Sequence, residues 1–591
     1  GGARSVLLGA EGRASLRSGA AEGAAAWGSF HDVINKTGWS VLDVHTSPEE
    51  SGARQSYAAG FLEGALTHER MKQHIKNLWG VDFAGQGYPN TPASVHRFVV
   101  QNIAWMRQQA REHAGERYWV MVGFLLEQLR GLADGYNAAR GKLGEAAVPE
   151  AQILMNSMVD TDMDDTVTAV EMRGHFVNEH YRHHSRRRRS TSLAHRGHCS
   201  ALVQAAPGNA DLWVGHATWD EYRSMLRVIK RFDLPLPGAA ARSMVFTSNP
   251  GALYSGDDWY VTDTGLTITE TSIENYNRSR WRAVRPESLL TWARALVASR
   301  LAASGAEWTE LELRHQSGTC NNQWMVVDYK RFTPYQPPRN GTLWVSEAMP
   351  GMSHREDVTH VLLDQGSWPS YNIPYFKDVW TAGGYGTMQQ RHPDRPQLWS
   401  FSEDPRAQMF ARARAEGSVT SMSSFMKLLR YNHRGDRLAN GDACNGISAR
   451  CDLNPHDQES YDCFGAIDAK MTSWRQGLGD LSFYAVSSPT HDAEEPPFSW
   501  NGQNASVDGC GPQQHVGHPD VFGFSWYAIP SSLEPEPWVY QEGGLFEISA
   551  VCVSVVCVIL FALALRRGFT VMRKRRQCGD DMSPVQGYVR F

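Results

Sequence analysis

The stretch GHCSALVQAAPGNADLWVGHATWDEYRSMLRVIKRFDLPL, residues 197–236, decides the fold class. Just before it, residues 180–198 are strongly basic, with Arg186, Arg187, Arg188 and Arg189 in succession. They lack apolar periodicity and read as a solvated loop open to proteolysis. At residue 199 the character changes. CSALVQA (199–205) and DLWVGHATW (211–219) have the length and the β-branched or alternating apolar pattern of strands. Residues 219–231 read as a helix interrupting them. Cys199 sits where loop becomes strand. A cysteine there can be a nucleophile, a half-cystine or a buried apolar residue, and neither a CxxC nor a metal-spaced Cys/His set surrounds it. His216 and Trp219 follow on the second strand; a lone His is more often structural than chemical.

Outward from this stretch, residues 1–28 are rich in Gly, Ala and Ser and read as a flexible leader. Residues 29–179 read as helical, because apolar residues recur at helical spacing over 56–78, 95–109 and 117–137. Residues 180–198 are the basic processing linker, and 199–540 form the β-rich part. There WYVTDTGLTITET (259–271) and QWMVVDYKRF (323–332) read as strands, and a helix runs from about 286 to 301. The order predicts an α+β enzyme with the sheet covered by helices.

Near the C-terminus, ISAVCVSVVCVILFALAL (548–565) is uncharged, and with the residues from 545 it reaches the roughly 20 that a helix needs to cross a bilayer. Arg566, Arg567, Arg573, Lys574, Arg575 and Arg576 follow. This asymmetry predicts a type I transmembrane helix over 545–565, a lumenal bulk and a cytoplasmic tail over 566–591. The tail ends GYVRF, where Tyr588 and Phe591 resemble a terminal lysosomal sorting signal read by cytosolic adaptors. A lumenal bulk gives meaning to the sequons at Asn35, Asn277, Asn340 and Asn504. Gly1 in place of Met reads as a processed or truncated start, where a removed signal peptide leaves no trace.

Composition bounds the rest. With 591 residues, 42% hydrophobic and 20% charged, the chain falls in the globular range and wholesale disorder is excluded. A net charge of -5 and a pI near 6.5 argue against a dedicated nucleic-acid partner. Twenty Trp and twenty Tyr point to a large aromatic core. Setting aside a nucleophile at Cys199, five cysteines remain before the anchor: 320, 444, 451, 463 and 510. With Cys320 unpaired, Cys444, Cys451, Cys463 and Cys510 can make two disulfides in three ways.

The 197–236 run resembles the corresponding region of phospholipase B-like proteins. In order, SNPGALYSGDDWYVTDTGLTITET (248–271), SGTCNNQWMVVDYK (317–330), GTLWVSEAMPG (341–351), WPSYNIPYF (368–376), DPRAQMF (404–410), RYNHRGD (430–436), PFSW (497–500) and HVGHPDVFGF (515–524) extend the resemblance over most of 55–530. The predicted anchor is similar to that of the membrane-anchored p67-type lysosomal glycoproteins of trypanosomatids, within the same family.

The resemblance implies an N-terminal-nucleophile hydrolase, an αββα sandwich, that cuts itself between His198 and Cys199. It assigns Cys199 as nucleophile and Asn322 as oxyanion donor, with Asn321 the neighbour that could be confused with it. His216 and Trp219 are assigned to substrate binding or support. It pairs Cys444 with Cys451, since the family's usual partner position holds Ser448, and it sets Cys320 where the family usually has Tyr. It implies a lysosomal hydrolase of phospholipid acyl esters, with no cofactor and no metal. Two alternatives stay open: hydrolysis of linear N-acyl amides by the same mechanism, and a vestigial site in a structural lysosomal membrane glycoprotein.

Overall fold

The computed structural model describes residues 2–9, 12–79, 93–158, 161–174, 199–491, 495–507, 510–511 and 515–529. The chain opens with β1 (Arg4–Leu8), β2 (Ala14–Ser18), β3 (Ala26–Asp32) and β4 (Trp39–Thr46). Long helices follow at Gly52–Trp79, Ala93–Glu112 and Arg117–Gly141, with shorter ones at Glu150–Ser157 and Asp162–Met172. The β-rich part holds β5 (Cys199–Ala205), β6 (Leu212–Glu221), β7 (Arg227–Asp233), β8 (Ser243–Ser248), β9 (Trp259–Thr262), β10 (Leu266–Ser272), β11 (Asn322–Asp328), β12 (Leu343–Met349) and β13 (Met352–Asp357). It ends with β14 (Ser367–Ser370), β15 (Phe464–Ser473), β16 (Phe483–Val486), β17 (Phe498–Ser499), β18 (Val521–Phe522) and β19 (Tyr527–Ile529).

Two sheets dominate. The larger has eleven strands in the order β13-β12-β11-β10-β9-β8-β7-β4-β3-β1-β2; the smaller has six, β14-β5-β6-β15-β16-β19. The smaller is antiparallel throughout, whereas the larger is mixed, because β4 and β7 run parallel. One face of the large sheet packs on the long helices through residues such as Phe61, Leu132, Phe232 and Ile268. Its other face shares a core with the small sheet through Val203, Val214, Val261, Met325 and Val327. Helices Pro405–Ala415 and Met422–Leu429 cover the far side of the small sheet, where Phe425 meets Trp213 of β6.

This α+β arrangement agrees with the helical periodicities and with the strands read at 199–205, 211–219, 259–271 and 323–332. Helices Gly52–Trp79 and Arg117–Gly141 pack almost backbone to backbone: a Cβ on Gly60 would lie 1.9 Å from the Gln128 carbonyl oxygen, and one on Gly131 2.0 Å from that of Tyr57.

Three expectations are corrected. Residues 1–28 are not a flexible leader: β1 and β2 pair as an antiparallel edge of the large sheet, and Val6 is fully buried. Small residues flanking a short strand hide its alternation. Residues 29–179 are not helical from the start, since β3 and β4 precede the first long helix. Residues 219–231 are not a helix: β6 continues to Glu221, a single 3-10 turn follows, and β7 begins at Arg227. A short apolar run buried on both faces has no period to read, so helix and strand look alike in sequence. The 180–198 linker, the 545–565 span and the 566–591 tail lie outside the described residues. Among the described residues no helix is long and apolar enough to cross a membrane.

Candidate active site

Cys199 is the first residue of β5, and β5 pairs antiparallel with β6 so that Cys199 faces Thr218 and Ala201 faces His216. Directly opposed residues share a face, so the thiol points between the sheets. It is 3% exposed and free of any disulfide. Burial pushes its pKa well up and the charge of Glu270 adds to this, while the Trp219 main-chain amide and Lys470 pull the other way. The thiol therefore stays protonated, and inert, until a base acts on it.

Arg406 fixes its backbone. One guanidinium nitrogen donates to the Cys199 carbonyl at 2.8 Å and to Asn372 Oδ1 at 2.8 Å; the other donates to the Tyr371 carbonyl at 2.7 Å. The same guanidinium lies 4.5 Å from the Trp219 ring centroid. Trp219 in turn donates to the Ile447 carbonyl at 3.3 Å and packs against Cys444 and Cys451. Those two cysteines form one disulfide and Cys463–Cys510 the other, as the resemblance implied for the first. Cys199 and Cys320 are the free thiols among the described residues. Trp219 thus supports the nucleophile's strand from behind.

His216 is fully buried, with Nδ1 3.3 Å from Thr218 Oγ1. Burial and the nearby Lys470 hold its pKa well below the usual value, so the ring is neutral. Asn322 opens β11 opposite Ser272 of β10. With its amide turned so that the nitrogen, not the oxygen, meets the surrounding acceptors, it donates to Glu270 Oε2 at 3.1 Å and to the Asn321 carbonyl at 2.8 Å. Asn321 donates to Asp165 at 3.4 Å, and Asp165 also accepts the Cys320 amide at 2.8 Å. The short helix Asp162–Met172 thereby pins the 319–321 turn, with Asp162 accepting from Thr319 Oγ1 at 2.5 Å.

Cys199, Thr218, Trp219, Asp258, Glu270 and Cys320 line one cavity of about 40 Å³. His216 and Asn322 adjoin this lining without belonging to it. The charged residues around it were not singled out in the sequence. Asp257 is clamped by Arg227 at 2.5 Å, Lys470 at 2.8 Å and Thr247 at 2.5 Å, and these cations hold its pKa low. Lys470, opposite His216 on β15, also donates to Thr218 Oγ1 at 2.5 Å and Asp468 at 2.8 Å. Asp258 and Glu270 hydrogen-bond each other, and burial raises the pKa of both, Glu270 to about 7. The signal was present: Asp257, Asp258 and Glu270 lie within 248–271 and Arg406 within DPRAQMF, and charges in strand-rich apolar sequence are costly to bury unless paired.

The four sequons differ in access. Asn35 and Asn340 are exposed, whereas Asn277 and Asn504 are half-buried, and Asn277 donates its amide to the Ala382 carbonyl at 3.3 Å. Among the described residues no group of His, Cys, Asp and Glu is placed to hold a metal.

The fold and site define an α+β protein whose candidate nucleophile is a buried cysteine heading a central strand, set against a dense network of buried charge. Comparison with known proteins agrees: the model of the family Phospholipase B matches residues 26–529. The chain is 34% identical over 526 residues to phospholipase B-like protein B of Dictyostelium discoideum, covering 88% of each chain. To phospholipase B-like protein C of the same organism it is 32% identical over 536 residues, covering 89% of this chain and 91% of the relative. The chain belongs to the phospholipase B family.

Proposed function

We propose that the chain is a phospholipase B-like hydrolase of the N-terminal-nucleophile type, cut by itself between His198 and Cys199 and then hydrolysing acyl ester bonds of phospholipids. The observation that carries this reading is Cys199: a free, buried thiol at the first position of β5, its backbone clamped by Arg406, facing a cavity lined by acidic and polar side chains. In self-cleavage the sulfur adds to the His198 carbonyl. The C–N bond breaks, its nitrogen takes a proton, and water opens the resulting thioester, leaving a carboxylate on His198 and a free α-amine on Cys199. That amine, with a pKa near ~7.7–8.0, supplies the base for the thiol during turnover, once the chain is cut. Asn322 then turns its amide toward the oxyanion, and His216 and Trp219 hold the strand beside it.

At about 40 Å³ the cavity beside the thiol has room for water. N-acyl amides are the second substrate class of the same mechanism. The reading includes a type I anchor at 545–565, a lysosomal destination and adaptor binding through Tyr588 and Phe591.

N-terminal sequencing of the mature fragments, with phospholipid and N-acyl amide turnover, tests the proposal. A fragment beginning at Cys199 is expected in the wild type, and Cys199→Ala is expected to stay uncut and inactive. Cleavage before residue 199 in that variant would remove the assignment.

A further inference from the structure

The run SNPGALYSGDDWYVTDTGLTITET supplies two carboxyl groups to the cavity of Cys199 that the mechanism above leaves unused. Asp258 and Glu270 are each 2% exposed, line the same cavity as the thiol and hydrogen-bond each other. Their neighbour Asp257 takes the cations Arg227 and Lys470, and among the described residues no ion pair reaches Asp258 or Glu270. Two adjoining buried carboxyls without a cation of their own do not both ionise near neutral pH, so the pair retains a proton there. In the orientation that turns its nitrogen to the acceptors, the Asn322 amide donates to Glu270 Oε2 at 3.1 Å, which fixes that carboxyl and leaves its proton to be shared with Asp258.

We propose that Asp258 and Glu270 are a proton-sharing pair that takes the Cys199 thiol proton and delivers one to the Cys199 nitrogen during self-cleavage. This rests on the self-cleavage reading. With one carboxylate and one carboxylic acid, the pair serves both needs: the carboxylate accepts the S–H proton as sulfur adds to the His198 carbonyl, and the acid protonates the nitrogen as the C–N bond breaks. The pair ends as it began, and no other reactant than water is needed. A single water, which the cavity can hold, is enough to relay the proton.

The pair's charge state sets the pH dependence. The groups facing it are Asp257 beside it, Lys470 on β15 and His216 on β6, with Arg227 of β7 lining the same cavity. Cys199 on β5, Cys320 before β11, Asp162 on its helix, Tyr254 before β9 and Tyr260 on β9 also face it. Burial raises both carboxyls toward neutrality. When both are protonated no acceptor remains, and when both are ionised no proton can be given. Self-cleavage therefore follows a bell in pH.

The test is the rate at which the full-length precursor releases a fragment starting at Cys199, followed by mass spectrometry from acid to mildly alkaline pH. Wild type is expected to give a bell. Glu270→Gln is expected to slow release by about 10²-fold or more, and Asp258→Asn to reduce the bell to a single limb. A merely structural role would lower the rate evenly across pH and leave the shape intact, which overturns the inference. A flat wild-type profile overturns it too, and that readout stands even if Glu270→Gln fails to fold. If both variants cut with wild-type rate and profile while Cys199→Ala stays uncut, the pair has no such role and self-cleavage by Cys199 survives. If Cys199→Ala is cut, both fall.

Discussion

Replacing Arg406 with Met removes the clamp on the nucleophile's backbone, and the structure sets the cost. The Cys199 carbonyl, the Tyr371 carbonyl and Asn372 Oδ1 lose donors at 2.8, 2.7 and 2.8 Å, all in buried surroundings. A buried acceptor left without a partner costs ~1–3 kcal/mol, so the gross loss is ~3–9 kcal/mol. Relief from burying the guanidinium offsets part of this. Asp404, 3.6 Å away and 6% exposed, loses its cation, and breaking one side of a buried pair costs ~3–5 kcal/mol overall. A net destabilisation of ~3–5 kcal/mol is expected. For a chain larger than 250 residues this lowers Tm by less than about 4 °C per kcal/mol. The catalytic effect is separate. A 1 Å displacement of reacting atoms costs on the order of 10²-fold, so release of the Cys199 fragment should slow by that factor even well below Tm. Arg406→Lys keeps the charge but cannot span three acceptors in a plane, and should fall between. Thermal unfolding and a processing time course on both variants check this. Wild-type Tm together with wild-type fragment release in Arg406→Met would refute the clamp.

Further outcomes follow from the same geometry. Asn322→Ala should lower hydrolysis by processed protein by ~10²–10³-fold with little change in folding; undiminished turnover would move the oxyanion role to Asn321 or to backbone donors. Removing the Cys463–Cys510 bridge, which closes a separation of 47 residues, should cost ~4 kcal/mol by loop entropy, against ~2 kcal/mol for Cys444–Cys451 with a separation of 7; paired-serine variants in denaturant titrations would show the order. His45 bonds Asp43 at 2.8 Å and Asp233 at 3.4 Å, and these raise its pKa to about 9. A raised folded pKa gives stability that is full below the unfolded value of about 6.5 and disappears as pH rises through about 9. His45→Gln should therefore lower Tm in acid and match wild type in alkali; equal Tm losses at both would contradict it. On the proposed sorting reading, which rests on the sequence of the tail, Tyr588→Ala should divert the protein from lysosomes to the cell surface; unchanged immunolocalisation would contradict it.

The residue order by itself determined the long helices, because their apolar faces recur with a period that needs no partner to be read. It likewise marked the strands around Cys199, β9 to β11, and the junction where the basic run stops. It singled out Cys199, His216, Trp219 and Asn322 as candidates through resemblance, and left the disulfide pairing to that resemblance. What it could not show was where a short segment finds its partner. β1 and β2 look like linker until β3 and the helix Gly52–Trp79 bury Val6. Residues 219–231 look helical until strands flank both halves, because burial on two faces erases the period. The charges of the site are the same case. Asp258, Glu270, Lys470 and Arg406 stand 212 positions apart at the extremes, and each is only an isolated polar residue in sequence. Packing two sheets face to face, with a helix behind the smaller one, places them around one thiol, and the low dielectric there makes them depend on one another and favours the protonated forms of Asp258 and Glu270. That is a property of distance and burial, which only the tertiary structure fixes.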